Sequence, residues 1–243
     1  MSLPTIFAIE TSTERLSLAI LHGTTMHVRD VDAGQRHSEL ALPLMRELMA
    51  EANLKADDID IYAFGQGPGS FTGVRIACGL TQGLALGAGK RVLPVPTQLS
   101  MAEGCGAGNV IVALNARMGE IYFAAYRRRS VENNWETVVS PVLVKSENLP
   151  VLAGCDWLGI GSAFDDPVLG DQLKNRYAVH LAGIDKNALP SAREIAIIAA
   201  REIAHRGIAA GLAPQFAAPL YLRNKVAATI AERAAQSLKK AGA

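Results

Sequence analysis

Cysteine is scarce in this chain of 243 residues: Cys78, Cys105 and Cys155 stand far apart, without CxxC spacing. That argues against both a zinc site and a disulfide framework, and it suits a reducing compartment. An excess of one charge is missing too. Lys and Arg number 24 against 23 Asp and Glu, so a net charge of +1 sets up no strong field for nucleic acid or an anionic membrane. No segment reaches transmembrane length without Gly, Pro or a charge. The apolar run at residues 6–9 meets Glu10 too soon for a signal peptide. A cytoplasmic location with no membrane partner is the expectation. Five histidines, His22, His27, His37, His180 and His205, give no HxxxH pair, and there is neither a GxSxG elbow nor a cysteine set near a histidine. No metal site and no activated nucleophile is expected.

What is present is a hydrophobic fraction of 49%, enough for a continuous core. Strand patterns occupy residues 5–9, 16–20, 26–31, 59–64 and 92–95, with helices over 38–52 and 70–86. The order is βββαβα, then a strand and a short helix. The second half opens the same way. Placing Ala8, Ile9 and Glu10 over Ala113, Leu114 and Asn115 sets Leu16, Leu18 and Ala19 over Ile121, Phe123 and Ala124 at one offset. Further strands are expected at 138–144 and 157–160. A helix over 192–205 opens on Ser191 and Glu194 in capping-box spacing.

The most distinctive stretch is Gly65-Gln66-Gly67-Pro68-Gly69-Ser70-Phe71-Thr72-Gly73. Glycines permit close backbone approach, and a helix start can hold an anion. The lysine of a Walker A loop is absent. A tight strand-to-helix connection capped by Ser70 or Thr72 is favoured over a phosphate site, for which Thr11, Ser12, Gly67, Gly69, Ser70, Thr72 and Gly73 are the candidates. Glu10-Thr11-Ser12-Thr13 follows the first strand as a phosphate turn of a duplicated ATPase would. Its counterpart, Asn115-Ala116-Arg117-Met118-Gly119, lacks the carboxylate and the Gly-Thr pair. Arg127, Arg128 and Arg129 form a minor candidate RNA contact, a solvated strand end being the commoner meaning of such a run.

Between Ser70 and Gly89 the only charge is Arg75, although a surface helix ordinarily has a polar face. Ile76, Leu80 and Leu84 form a bulky side suited to the sheet. Val74, Cys78, Thr81 and Ala85 are then expected to face outward, where a partner would cover them. The preceding helix, with Leu40, Leu44 and Leu48 and with Pro43 able to kink its start, joins them as a candidate helix-bundle interface.

Four stretches carry a family resemblance: Arg36-His37-Ser38-Glu39-Leu40, the glycine-rich run extended through Val74-Arg75-Ile76, Ala116-Arg117-Met118-Gly119-Glu120-Ile121-Tyr122, and Pro219-Leu220-Tyr221-Leu222-Arg223-Asn224. They resemble TsaB, also called YeaZ, a family of bacterial subunits in tRNA threonylcarbamoyladenosine biosynthesis. The resemblance spans nearly the whole chain, though residues 143–189 carry little signal. It implies an α/β, actin-like or sugar-kinase-like (ASKHA) duplicated fold with two βββαβαβα-type halves, 1–105 and 106–243, the segment from about 215 packing back on the first half. It further implies a non-catalytic subunit pairing with a metal-bearing TsaD-like catalytic relative. A TsaE-like ATPase joins that assembly, tRNA is reached only through it, and a homodimer would use the same helices. No cofactor is required; ATP or ADP would sit at a subunit boundary. Glu10 and Asn115 stand where relatives often have Asp, and Gln66 where Arg is common. The rival readings are an independent ATP-dependent enzyme of the sugar-kinase type and a glycoprotease-like peptidase.

Overall fold

A computed structural model describes residues 3–129 and 134–223. In the first half, strands β1 (Ile6–Glu10), β2 (Arg15–His22) and β3 (Thr25–Asp32) lead into helix α1 (His37–Glu51). Strand β4 (Ile61–Gly65), helix α2 (Phe71–Gly87), strand β5 (Arg91–Val95) and helix α3 (Thr97–Gly104) follow. The sheet order is β3-β2-β1-β4-β5, with β1 antiparallel to β2 and parallel to β4. Strand β1 is buried along its whole length because helices cover both faces of the sheet, hence its unbroken apolar run. Pro43 lies inside α1 without ending it.

The second half brings β6 (Asn109–Asn115), β7 (Glu120–Arg129), β8 (Asn134–Lys145), β9 (Trp157–Ile160), α4 (Pro167–Tyr177), β10 (Leu181–Asp185) and α5 (Ala192–Arg206). Its sheet, β10-β9-β6-β7-β8, repeats the first in order and direction. The fold is the duplicated actin-like α/β architecture. One element departs from the expected pair of identical halves: a 3₁₀ turn at Ser146–Asn148 stands where α1 would recur.

The repeat has a different register from the one the residues suggest. Glu10 pairs with Ser17 and Ile9 with Leu18, whereas Leu114 pairs with Tyr122 and Ala113 with Phe123. Leu18 matches Phe123, so Ile9 corresponds to Ala113, Glu10 to Leu114 and Thr11 to Asn115. The cores agree. Phe7, Ile9, Leu16, Leu18 and Ile20 share one cluster, as do Ile111, Ala113, Ile121, Phe123 and Ala125. A shift of one residue turns a strand's side chains to the opposite face, so the cluster that each side chain joins identifies the register.

The last helix of each half crosses over. Helix α5 packs Ile195, Ala196 and Ala199 on Ile6, Ala8 and Ala63 of the first sheet, while α3 packs Met101 and Ala102 on Val110 and Val112 of the second. Where these helices meet, Glu103 accepts from Arg201 at 3.0 and 3.2 Å and from the Trp135 indole at 2.6 Å, with Arg128 at 3.6 Å. Burial pushes its carboxyl up, but the hydrogen bonds from Arg201 and Trp135 and the charges of Arg201 and Arg128 outweigh it and hold it below the usual range. Arg127 faces Asn109 and the Trp157 ring, and Arg129 pairs with Glu136. Arg127 and Arg128 are thus engaged within the fold, while the Arg129 side chain stays exposed beside Glu136. The capping box on α5 is half formed: Ser191 accepts from the Arg193 N–H, but Glu194 turns to the Arg193 guanidinium.

Candidate functional site

Each half places a hairpin turn against the helix that follows its fourth strand. In the first half the glycine-rich loop closes on the turn after β1. The Ser70 N–H donates to the Ser12 carbonyl at 2.8 Å, the Thr11 hydroxyl donates to the Gly73 carbonyl at 2.7 Å, and the Ser70 hydroxyl caps α2 by accepting from the Gly73 N–H at 3.3 Å. Ser70, rather than Thr72, is the cap. Contact is backbone to backbone. A Cβ at Gly73 would stand 1.9 Å from the Thr11 carbonyl oxygen, and one at Gly69 2.5 Å from the Ser12 Cβ. Gly67 has φ +96°, a left-handed value that suits glycine alone.

Glu10 lies beneath this loop, fully buried. Its carboxylate accepts from the Ser12 N–H at 2.6 Å and from the Thr97 hydroxyl at 2.9 Å, while the Gly67 N–H donates to Thr97 Oγ1 at 3.1 Å. Burial pushes its pKa above the usual 4.5 despite the lowering hydrogen bonds from Ser12 and Thr97.

In the second half the start of α4 is capped by Asp166, which accepts from the Val168 and Leu169 N–H groups at 3.0 and 2.9 Å. Asn115 binds that cap through Nδ2 at 2.9 Å, and its Oδ1 accepts from the Arg117 N–H at 2.7 Å. Asp166 before Pro167 is a helix-start signal visible in the sequence. Among the described residues, no group of three or more His, Cys, Asp or Glu is gathered to hold a metal. No helix there is long and apolar enough to cross a membrane.

On α2 the expected orientation is reversed. Val74, Cys78, Thr81 and Ala85 are buried, Thr81 and Ala85 completely, and Leu80 and Leu84 lie on its flank, partly buried. Small side chains face inward because they let the helix axis approach the sheet closely. The segment from Pro214 to Ala217 covers the rest of that side: Gln82 donates to the Pro214 and Ala217 carbonyls at 3.0 Å, and the Cys78 thiol lies 3.6 Å from the Ala217 carbonyl. On α1, Leu48 is likewise buried, and Leu40 and Leu44 are partly buried against the same core. The outward face of α2 carries Phe71, Arg75, Gly79, Gly83, Leu86 and Gly87 instead. Leu86 is 70% exposed, and a Cβ at Gly79, Gly83 or Gly87 would meet nothing within 4 Å. Gly79, Gly83 and Gly87 recur every four residues, a spacing plain in the sequence that marks the outward face where the bulky residues do not.

A strap from 214 to 223 then joins the two halves. The Leu220 N–H donates to the Gln66 carbonyl at 2.7 Å, and the Tyr221 hydroxyl accepts from Arg75 Nε at 2.8 Å. Arg223 donates to the Ala116 carbonyl at 3.0 Å and pairs with Glu120 at the base of the second hairpin turn. Asn224, the end of the last resembling stretch, lies outside the described residues.

Fold and turns together define a duplicated actin-like protein whose hairpin turns are tied to its own helix starts. The model of the family "TsaD: tRNA N6-adenosine threonylcarbamoyltransferase" matches residues 28–232. The tRNA threonylcarbamoyladenosine biosynthesis protein TsaB of Escherichia coli (strain K12) is 36% identical, over 91% of this chain and 96% of its own. The protein of the same name from Haemophilus influenzae (strain ATCC 51907 / DSM 11121 / KW20 / Rd) is 32% identical, over 91% and 94%. The solved structure of YeaZ from Pseudomonas aeruginosa superposes with a TM-score of 0.78 at 31% identity, covering 91% of this chain and all of that one. The chain belongs to the TsaB (YeaZ) family of tRNA threonylcarbamoyladenosine biosynthesis proteins.

Proposed function

We propose that this chain is a non-catalytic subunit in the making of threonylcarbamoyladenosine in tRNA, and that it pairs with a TsaD-type catalytic subunit through the outward face of α2 and the adjoining edge of α1. The observation that carries the reading is that outward face. It is a helix surface of glycine, leucine and phenylalanine with Arg75 as its one charge, on which a second helix could approach to backbone contact. The two helix starts support the absence of independent catalysis. Their donors are largely engaged by the chain itself: Ser70 and Gly73 spend their N–H groups on Ser12 and on the Ser70 hydroxyl, and the Asp166 carboxylate occupies the start of α4. The chain needs no cofactor of its own on this reading. Nucleotide would sit at a subunit boundary, a TsaE-type ATPase would join the assembled pair, and tRNA would be met through the complex.

The test is co-purification with the TsaD-type subunit. Gly83→Arg, which points into open space, should abolish pairing and leave the melting temperature near the parent value. Thr81→Arg should unfold the chain, since its side chain is fully buried. Normal pairing and tRNA modification by Gly83→Arg would overturn the assignment of this face.

A further inference from the structure

The second hairpin turn has a backbone that ordinary side chains avoid. Arg117 and Met118 have φ values of +63° and +57°, followed by Gly119 at +72°. In this run of three left-handed residues the Cβ atoms of Arg117 and Met118 crowd the following carbonyls, a cost that Gly119 escapes. Such a conformation persists only where its surroundings enforce it. Here they do. Arg223 grips the Ala116 carbonyl and Glu120, Asn115 accepts from the Arg117 N–H, and the Ala116 N–H donates to the Glu120 carbonyl at 2.9 Å.

What is held in place is a side-chain display. Met118 is 84% exposed, and its side chain meets Arg223, whose guanidinium lies 3.5 Å from its Sδ. Arg117 forms no ion pair among the described residues. The tip is also continuous with α2. Tyr221 lies 6.0 Å from the Phe71 ring, and Arg75 stacks 3.4 Å above that ring. Only Leu222 separates Tyr221 from Arg223, which are about 7 Å apart along an extended chain. Phe71, Arg75 and Tyr221 form one cluster, and Arg223, two positions along the strap, carries the contact on to Met118; these are residue types that populate interface cores.

We propose that the protein partner covering the outward face of α2 also receives Met118 in an apolar socket whose rim carries carboxylates that meet Arg117. This inference rests on the pairing reading above. Arg223 is the positioning residue of the tip, since it holds the Ala116 carbonyl, Glu120 and the Met118 sulfur in place.

Binding of full-length variants to the purified TsaD-type subunit, followed by calorimetry, tests this. Met118→Gly should weaken association at least tenfold while raising the melting temperature, because glycine relieves the left-handed strain. Arg117→Glu should weaken it by a similar factor. Arg223→Gln should weaken it too, with faster amide exchange across residues 115–120, a change that loss of a mere contact would not produce. Parent affinity in Met118→Gly overturns the inference, and so does a lower melting temperature. If both tip variants keep the protein affinity but lower tRNA binding by the assembled pair, the tip is an RNA contact and the socket is wrong. Gly83→Arg separates the failures: its normal pairing would sink the α2 reading, whereas normal pairing by Met118→Gly sinks only this one.

Discussion

The two hairpin turns occupy equivalent places in equivalent sheets, yet one is sealed and the other open. Thr11 and Asn115 correspond in register, and each ties its turn to the start of the following helix, Thr11 at Gly73 and Asn115 at Asp166. In the first half the tie is short, so the start of α2 rests directly on the turn, and Thr11, Ser12 and Gly73 are buried where they meet. In the second half the longer Asn115–Asp166 bridge keeps helix and turn apart, and Arg223 comes from more than a hundred residues away to steady it. Duplication preserved the topology, while the side chain at one position decided whether a turn became core or surface.

The comparison breaks most sharply at Gly73. Gly73→Val should cost more than about 4 kcal/mol, because the contact it violates is with a main-chain oxygen that has no room to retreat. Thermal melting followed by circular dichroism measures this. A soluble variant with the parent melting temperature would mean that α2 and the turn are not in backbone contact. A milder difference is expected at the caps. Asp166→Ala should cost about 1–2 kcal/mol, since it removes two hydrogen bonds and a negative charge from a helix start; Ser70→Ala should cost about 1 kcal/mol or less. Equal losses in denaturant titrations would erase that distinction between the halves.

The smallest effect sharpens the sealed side. The folded-state pKa of Glu10 is raised above 4.5, so the folded form binds its proton more tightly than the unfolded chain does. Stability should therefore fall as pH rises from about the unfolded value through the folded one, and stay lowered above it. Glu10→Gln keeps an acceptor for the Ser12 N–H and removes the buried charge. Its stability relative to the parent should grow with pH over that window and be least in acid. Melting curves across pH decide it, and an advantage that shrinks as pH rises would show the carboxylate to be stabilised in place.

Most of the fold was legible in the sequence because burial on both faces leaves continuous apolar runs, as in residues 6–9 and 61–64. The repeat was visible through Leu16, Leu18 and Ala19, but its first strand was set one residue off. A strand buried on both sides gives no alternation by which to choose. Helix α4 and strand β10 went unread between 143 and 189. The strand's few residues are half exposed at a sheet edge, although Asp166-Pro167 did announce the helix. The site was less legible than the fold. Bulk suggested that Leu80 and Leu84 face the sheet, yet close packing of a helix on a sheet favours the smaller Ala77, Cys78 and Ala85. Arg223 and Glu103 work through partners distant in sequence, which no local pattern reveals.

The crossing of α3 and α5 means that neither half is a self-sufficient piece. A fragment ending after α3 would leave Ile6, Ala8 and Ala63 bare where α5 now lies, and would strand Glu103 without Arg201. The remainder would lose the cover that Met101 and Ala102 give to Val110 and Val112. Each half is in effect the chaperone of the other's exposed sheet. The chain should therefore melt in one cooperative transition, and its ancestry as two copies should leave no trace in the calorimeter.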